Sequence, residues 1–87
     1  MQIDRLVRER ERQAITGVTQ STWYEQIADG LAPPPVKLGK SAAAYPYREL
    51  IFLNAARIAG KSPEDVRALV KRLVAARARA FDQFDEA

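Results

Sequence analysis

The sequence predicts a mainly helical domain with two short helices, a small β-hairpin and two longer helices, in that order. Apolar residues recur at helical spacing over most of the 87 residues. Gly17 and Gly30 interrupt the first two helical stretches, and the prolines at 33–35 exclude a helix there. The length allows one small domain, and the 47% apolar fraction excludes a disordered chain.

The composition excludes several classes of chemistry. The chain has no cysteine and no histidine, so disulfides, thiolate nucleophiles, zinc fingers and Ser–His–Asp catalysis are ruled out. It has no phosphate-binding glycine loop and no clear carboxylate pair, so we expect neither an enzyme nor a cofactor or metal site. No apolar run reaches the ~20 residues of a membrane span. The start of the chain does not resemble a signal peptide, so we expect a cytoplasmic protein.

The first helix is predicted over residues 4–14. Its apolar stripe is thin, and arginines alternate with acidic residues along it. This alternation favours a solvated helix face over a row of phosphate contacts for Arg8, Arg10 and Arg12. The stripe consists of Ile3, Leu6, Val7 and Ala14.

A tight turn and a second helix follow. Gly17 allows the left-handed conformation that ends a helix, and the Thr19 hydroxyl is expected to accept a free backbone N–H of the next first turn. The second helix is predicted over residues 20–29, with Trp23 and Ile27 on its buried side. Two short helices joined by a glycine-containing turn are typical of a helix-turn-helix.

Residues 35–45 are predicted to form a β-hairpin. Val36 and Leu38 alternate with Lys37, which is the period of a half-exposed strand, and Gly39-Lys40 suits the turn. The three alanines at 42–44, taken alone, would favour a helix. The hairpin completes a winged helix-turn-helix with two C-terminal helices.

The first C-terminal helix is predicted from Pro46, at its first position, to about Ala59. It is apolar on most sides, so burial on two faces is expected, and Gly60-Lys61 ends it. Ser62 and Pro63 are strong signals for the start of the last helix, which is expected to run to about Phe84.

The last helix combines an apolar stripe with a basic face, which is predicted to be solvated. Packing of the stripe on residues 50–58, a homodimer seam and a groove for a partner protein all remain open. The candidate interface residues are Leu69, Val70, Leu73 and Phe81. The rest of the stripe is Val66, Val74, Ala76, Ala80 and Phe84, and the basic face is Arg67, Lys71, Arg72, Arg77 and Arg79.

We divide the chain between residues 47 and 48. The helix-turn-helix with its wing comes before this point and a helical extension after it, within one structural domain.

The helix-turn-helix pattern suits double-stranded DNA. A helix fits the major groove, where Gln pairs with adenine and Ser or Thr binds bases or phosphates, while lysines on a wing reach phosphates. Simpler roles are also open: Ser21 and Thr22 in the first helical turn, Tyr24 in the core, and solvated lysines. The candidate DNA-binding residues are Gln20, Ser21, Thr22, Tyr24, Lys37 and Lys40.

Residues Ile15 to Leu50 resemble the AlpA-type prophage regulators, which are relatives of phage excisionases with a MerR-like winged helix. The similarity lies in the run Gly17-Val18-Thr19-Gln20-Ser21-Thr22-Trp23-Tyr24, in Ile27 and Gly30, in the prolines leading into Val36-Lys37-Leu38-Gly39, and in Tyr45, Glu49 and Leu50. Three positions depart from the family: Glu25 and Ser41 stand where Arg is usual, and Tyr45 where Trp is usual. An acid at position 25 weakens phosphate attraction, but can accept from cytosine N4.

The resemblance implies a sequence-specific DNA-binding protein of phage type. It would be a transcriptional regulator or an excisionase-like recombination directionality factor, with the second helix in the major groove. The alternative is a protein-interaction module that binds a partner through the C-terminal helices. Charge placement does not decide between them, because the net charge is +1 over residues 1–47, +5 over 48–81 and −3 over 82–87.

Overall fold

The structure is a computed structural model that describes residues 4–86, with side chains described as far as residue 82. Within that range, four helices accompany a small antiparallel sheet with the strand order β1-β3-β2. This architecture confirms the predicted mainly helical, winged fold. Ile3 and the side chain of Phe84, both assigned to apolar stripes, lie outside the described part. The elements are β1 (Leu6–Val7), α1 (Glu9–Thr16), α2 (Gln20–Ala28), β2 (Val36–Lys37), β3 (Ala43–Pro46), α3 (Tyr47–Ile58) and α4 (Pro63–Glu86).

The first helix begins later than predicted, because residues 6–7 form strand β1. This strand pairs with β3 through Leu6–Pro46 and Val7–Tyr45. Val7 is fully buried in this position, whereas Leu6 is 47% exposed. An extended strand buries Val7, the single apolar side chain that the core accepts here. It also pairs an edge of β3 that would otherwise be open. The prediction of helix from residue 4 was therefore wrong.

The turn and the second helix agree with the sequence. Gly17 adopts φ 72°, and its N–H donates to the Gln13 carbonyl at 2.8 Å. Thr19 lies at the N-cap of α2, but its hydroxyl donates to the Thr22 hydroxyl at 3.1 Å and does not cap a backbone N–H. The position of the cap was predicted correctly, and its hydrogen bond was not.

The hairpin, called the wing below, consists of β2, β3 and the turn between them. Val36 pairs with Ala44 and Lys37 with Ala43, so two of the three alanines are strand and none is helix. Pro46 is the last residue of β3 and the N-cap of α3, not the first helical residue as predicted. The short β3 therefore pairs on both sides and forms the centre of the sheet.

Helix α3 buries one face and not the two that were expected. Leu50 and Leu53 are fully buried, whereas Phe52 is 47% and Ile58 87% exposed. The small body of this chain offers α3 one continuous core and no second layer. Helix α4 begins as predicted, with the Ser62 hydroxyl accepting the backbone N–H of Asp65 at 3.1 Å.

A single core joins both halves of the chain. Its members come from the first strand, α2, the α2–β2 loop, β3, α3 and α4. The α4 stripe is buried at Val66 and Val70, and Val74 one turn later is partly buried against the same core, so this part of the stripe packs within the chain. The core consists of Val7, Trp23, Ala32, Tyr45, Leu50, Leu53, Val66 and Val70.

Candidate nucleic-acid interface

An open cleft of about 380 Å³ lies between the start of α1, helix α2 and the wing. Two of the predicted DNA-binding residues, Gln20 and Tyr24, lie on one wall of it. They are four positions apart on α2 and so share one helix face. The remaining lining residues are Arg8, Glu9, Arg10, Ser41 and Ala43.

Trp23 fixes helix α2 against the rest of the molecule. Its side chain is fully buried, and its ring meets that of Tyr45 on β3 edge to face, with centroids 5.6 Å apart. Tyr24, the next residue, therefore points outward and is 51% exposed, so the alternative of a core Tyr24 is excluded. Burial of Tyr45 raises the pKa of its phenol above the ordinary value.

Arg12 has a structural position and does not lie on a solvated face, which corrects the prediction for this residue. The side chain is fully buried. Its guanidinium lies 4.6 Å from the centre of the Trp23 ring, forms an ion pair with Glu9 and donates to the Val18 carbonyl. These contacts join α1, the turn and α2, so they set the angle between the two helices.

Arg8 and Arg10 are cleft residues that the sequence analysis did not select. Both are exposed, and among the side chains that the structure describes neither forms an ion pair. The neighbouring acids are already paired, Glu9 with Arg12 and Glu11 with Arg5 at 2.7 Å. The alternating charges in the sequence do not reveal which arginines form ion pairs, because only the fold decides which arginine each acid neutralises.

The other four predicted residues are exposed but do not line the cleft. Lys37 lies on β2 opposite Ala43, and Lys40 lies in the turn of the wing. Ser21 and Thr22 are exposed in the first turn of α2, where Thr22 accepts the hydroxyl of Thr19. All six candidates are thus exposed on α2 and the wing, and two of them line the cleft.

The predicted interface residues of α4 separate into different environments. Val70 is 6% exposed and belongs to the core, so its side chain is covered within the chain. Leu69 and Leu73 are half-buried beside a groove of about 180 Å³ between α3 and α4. Phe81 is 68% exposed near the end of the helix. The groove is also lined by Phe52, Arg72, Ala76 and Arg79.

Two features are absent from the part of the chain that the structure describes. No three acidic, histidine or cysteine side chains lie together there in a group that could hold a metal ion. None of the helices in that part is long and apolar enough to cross a bilayer.

Residues 5–51 match the family described as prophage CP4-57 regulatory protein (AlpA). This segment is more than half of the chain and runs from β1 into α3. It includes every residue that lines the cleft. No curated protein and no solved structure matches the chain. On the extent of the family match, the chain belongs to the AlpA family of prophage regulatory proteins.

Proposed function

We propose that this chain binds double-stranded DNA sequence-specifically, through the cleft and the two elements beside it. The observation that carries the proposal is the convergence of Arg8, Arg10, Gln20 and Tyr24 on one open surface. Cationic side chains attract phosphates without regard to sequence, whereas a glutamine amide reads base edges. A concave surface with both groups has the chemistry of a DNA-reading site.

In this proposal the N-terminal part of α2 enters the major groove. Gln20 is the first residue of α2 and pairs with an adenine edge, and Ser21 and Thr22 contact phosphates or bases nearby. Arg8 and Arg10 lie over the backbone on one side of the helix. Lys37 and Lys40 on the wing contact phosphates on the other side.

Two regulatory roles share this DNA-recognition step. The chain acts either on transcription or as an excisionase-like factor that sets the direction of recombination. A reporter gene behind the bound site and an excision assay on the same site separate these roles. A response in the reporter alone supports transcriptional control, and excision alone supports the recombination role.

Fluorescence anisotropy with DNA that flanks the chain's own gene tests the proposal. A preference of more than ~100-fold over shuffled DNA is expected of a specific binder. The Gln20→Ala variant should lose most of this preference, whereas Gln13→Ala, on the exposed part of α1 outside the cleft, should keep it. Equal affinity of the unaltered chain for both duplexes contradicts sequence-specific binding.

The wing contribution is tested by the salt dependence of binding. Lys37→Ala should weaken binding to every duplex alike and reduce the slope of log K against log salt by about one unit, because one phosphate contact is lost. Lys61→Ala is the matched control, since Lys61 is exposed in the α3–α4 turn. An unchanged slope for Lys37→Ala excludes the proposed phosphate contact.

A second candidate function, protein binding through the C-terminal helices, is supported by the groove between α3 and α4. Phe52, 47% exposed, forms its apolar wall, and Arg72 and Arg79 border it. Three acids near the end of the chain, Asp82, Asp85 and Glu86, have the opposite charge, which favours a second copy of the chain as the occupant, with two α4 helices antiparallel.

Sedimentation equilibrium over a range of concentrations tests this dimer. Phe52→Ser should weaken self-association by on the order of tenfold, since a buried aromatic residue dominates such contacts. Ile58→Ser is the control, because Ile58 is 87% exposed and does not line the groove. A chain that stays monomeric at every concentration contradicts the dimer, and capture of another protein would then be the remaining use of the groove.

A further inference from the structure

The loop between α2 and the wing is held by three arginines from the C-terminal helices. Arg57 of α3 donates to the Gln26 side chain at 2.6 Å and lies 3.4 Å from the Leu31 carbonyl. Arg67 of α4 donates to the Asp29 carbonyl at 2.9 Å. The third, Arg77 of α4, donates to the Pro34 carbonyl at 2.7 Å. We call these three residues the arginine clamp.

The loop needs such donors because its own sequence supplies few. Residues 33–35 are prolines, which carry no backbone N–H, so this stretch cannot form its own ladder of hydrogen bonds. Asp29 is the C-cap of α2, where the last carbonyls of a helix lack partners and favour a cation. Arginines from outside the loop meet both needs.

Arg77 has the most fully determined position in the clamp. Its guanidinium forms two hydrogen bonds to the carboxylate of Glu49, at 2.6 and 2.8 Å, in addition to the one to Pro34. Glu49 is only 5% exposed, so the pair is largely desolvated on the side of the acid. A planar guanidinium bonded at two edges holds a fixed direction, which a flexible lysine does not reproduce.

We infer that α4 sets the position of the wing relative to α2, with Arg77 as the positioning residue. Arg67 holds the end of α2, and Arg77, ten residues later and about 15 Å along the same helix, holds the chain two residues before β2. The C-terminal helix thereby fixes the width of the cleft. The functional part of this inference rests on the proposed DNA binding.

The clamp itself is tested without DNA, by amide hydrogen exchange of the full chain. Arg77→Lys keeps the charge beside Glu49 but loses the fixed bonding to Pro34. The wing amide of Leu38, which donates to Ala42, should then exchange roughly tenfold to a hundredfold faster. The α3 amide of Leu53 should change far less. Arg48→Lys is the matched control, because Arg48 is exposed on α3 and lies outside the clamp, the cleft and the groove.

Two results of this measurement overturn the inference. One is equal acceleration at Leu38 and Leu53, which means that Arg77 serves global stability only. The other is an unchanged exchange rate at Leu38 in both Arg77→Lys and the double variant Glu49→Leu/Arg77→Leu, which removes the pair without leaving a buried charge. Faster exchange confined to the wing and the loop supports the positioning role.

DNA binding provides a second, separate readout. Arg77→Lys should weaken binding to the preferred duplex on the order of tenfold and leave binding to shuffled DNA unchanged, because the net charge is kept. Equal affinity of Arg77→Lys and the unaltered chain for the preferred duplex contradicts the effect on the cleft. If the unaltered chain shows no preference, the proposed function fails, and hydrogen exchange still decides whether the clamp holds the wing.

Discussion

The Arg12 side chain is fully buried, although Arg8 and Arg10, which lie four and two positions earlier, are exposed. The three arginines are equivalent in the sequence pattern, which is why all were assigned to a solvated face. Their separation arises from Trp23, whose ring attracts one guanidinium. Helix α1 presents one side to that ring, with Arg12 on it and Arg10 on a different side, whereas Arg8 precedes the helix as its extended N-cap.

Replacing Arg12 with Met should destabilise the fold by roughly 3 kcal/mol, since the Val18 carbonyl loses a charged donor and Trp23 loses a cation–π contact. Arg10→Met should change stability by less than about 0.5 kcal/mol, as expected for an exposed residue. Urea unfolding measures both. Equal midpoints for the two variants would mean that the buried contacts of Arg12 contribute nothing net.

The buried phenol of Tyr45 is expected to make the free energy of unfolding depend on pH in the alkaline range. Burial raises the pKa of its phenol in the folded chain, so the folded state keeps this proton at pH values where the unfolded chain begins to lose it. Stability from this group is complete below about pH 10 and is lost as pH rises through the folded pKa. Urea unfolding between about pH 8 and about pH 11 should show a smaller loss for Tyr45→Phe than for the unaltered chain. Tyr24→Phe, at a 51% exposed position, should behave like the unaltered chain.

The helix-turn-helix and the wing depend on two glycines in different ways. Gly17 has φ 72°, whereas Gly39 in the wing turn has no positive φ, and neither has a neighbour within 4 Å of an added Cβ. Gly17→Ala should therefore cost about 1 kcal/mol through backbone strain alone. Gly39→Ala should stay within about 0.5 kcal/mol. Thermal unfolding of both variants measures this difference, and equal losses would exclude conformational strain as the cause.

Strand β1 is an element that the local sequence pattern does not predict. Residues 4–8 have helix-compatible composition and only one side chain that the core buries. Their pairing partner, β3, is some forty residues away in the chain, and the N–H of Tyr47 bonds back to the Arg5 carbonyl at 2.7 Å. Only long-range pairing reveals such a two-residue strand, because a period of two has no meaning over two residues.

The whole molecule is organised around α4, whose 24 residues give a length of about 36 Å against a longest dimension of 38 Å. Its first turns complete the core through Val66 and Val70, and two of the three clamp arginines, Arg67 and Arg77, lie along it. The family match ends before this helix begins. A helix outside the matched segment therefore supports the elements inside it.

A shared core predicts that the chain unfolds in one cooperative step. Val70→Ala in α4 should lower stability by about 2 kcal/mol, and it should shift the fluorescence of Trp23 in α2 together with the helical circular dichroism. Leu38→Ala, at a wing position that is 46% exposed, should have little effect. Separate transitions for the two signals would divide the chain into two folding units.

The sequence by itself determined the order of the helices and the wing, since Gly17, the prolines at 33–35, Gly60 and Ser62 act locally through backbone conformation and capping. It also indicated the exposed candidate DNA-binding residues on α2 and the wing, because of their positions in the helix-turn-helix and hairpin pattern. Only the tertiary structure decided which arginines are buried, which hold the loop and which remain at the cleft. Charged side chains are long and can reach several neighbours, both along the chain and in other elements, so their roles follow from packing and not from spacing.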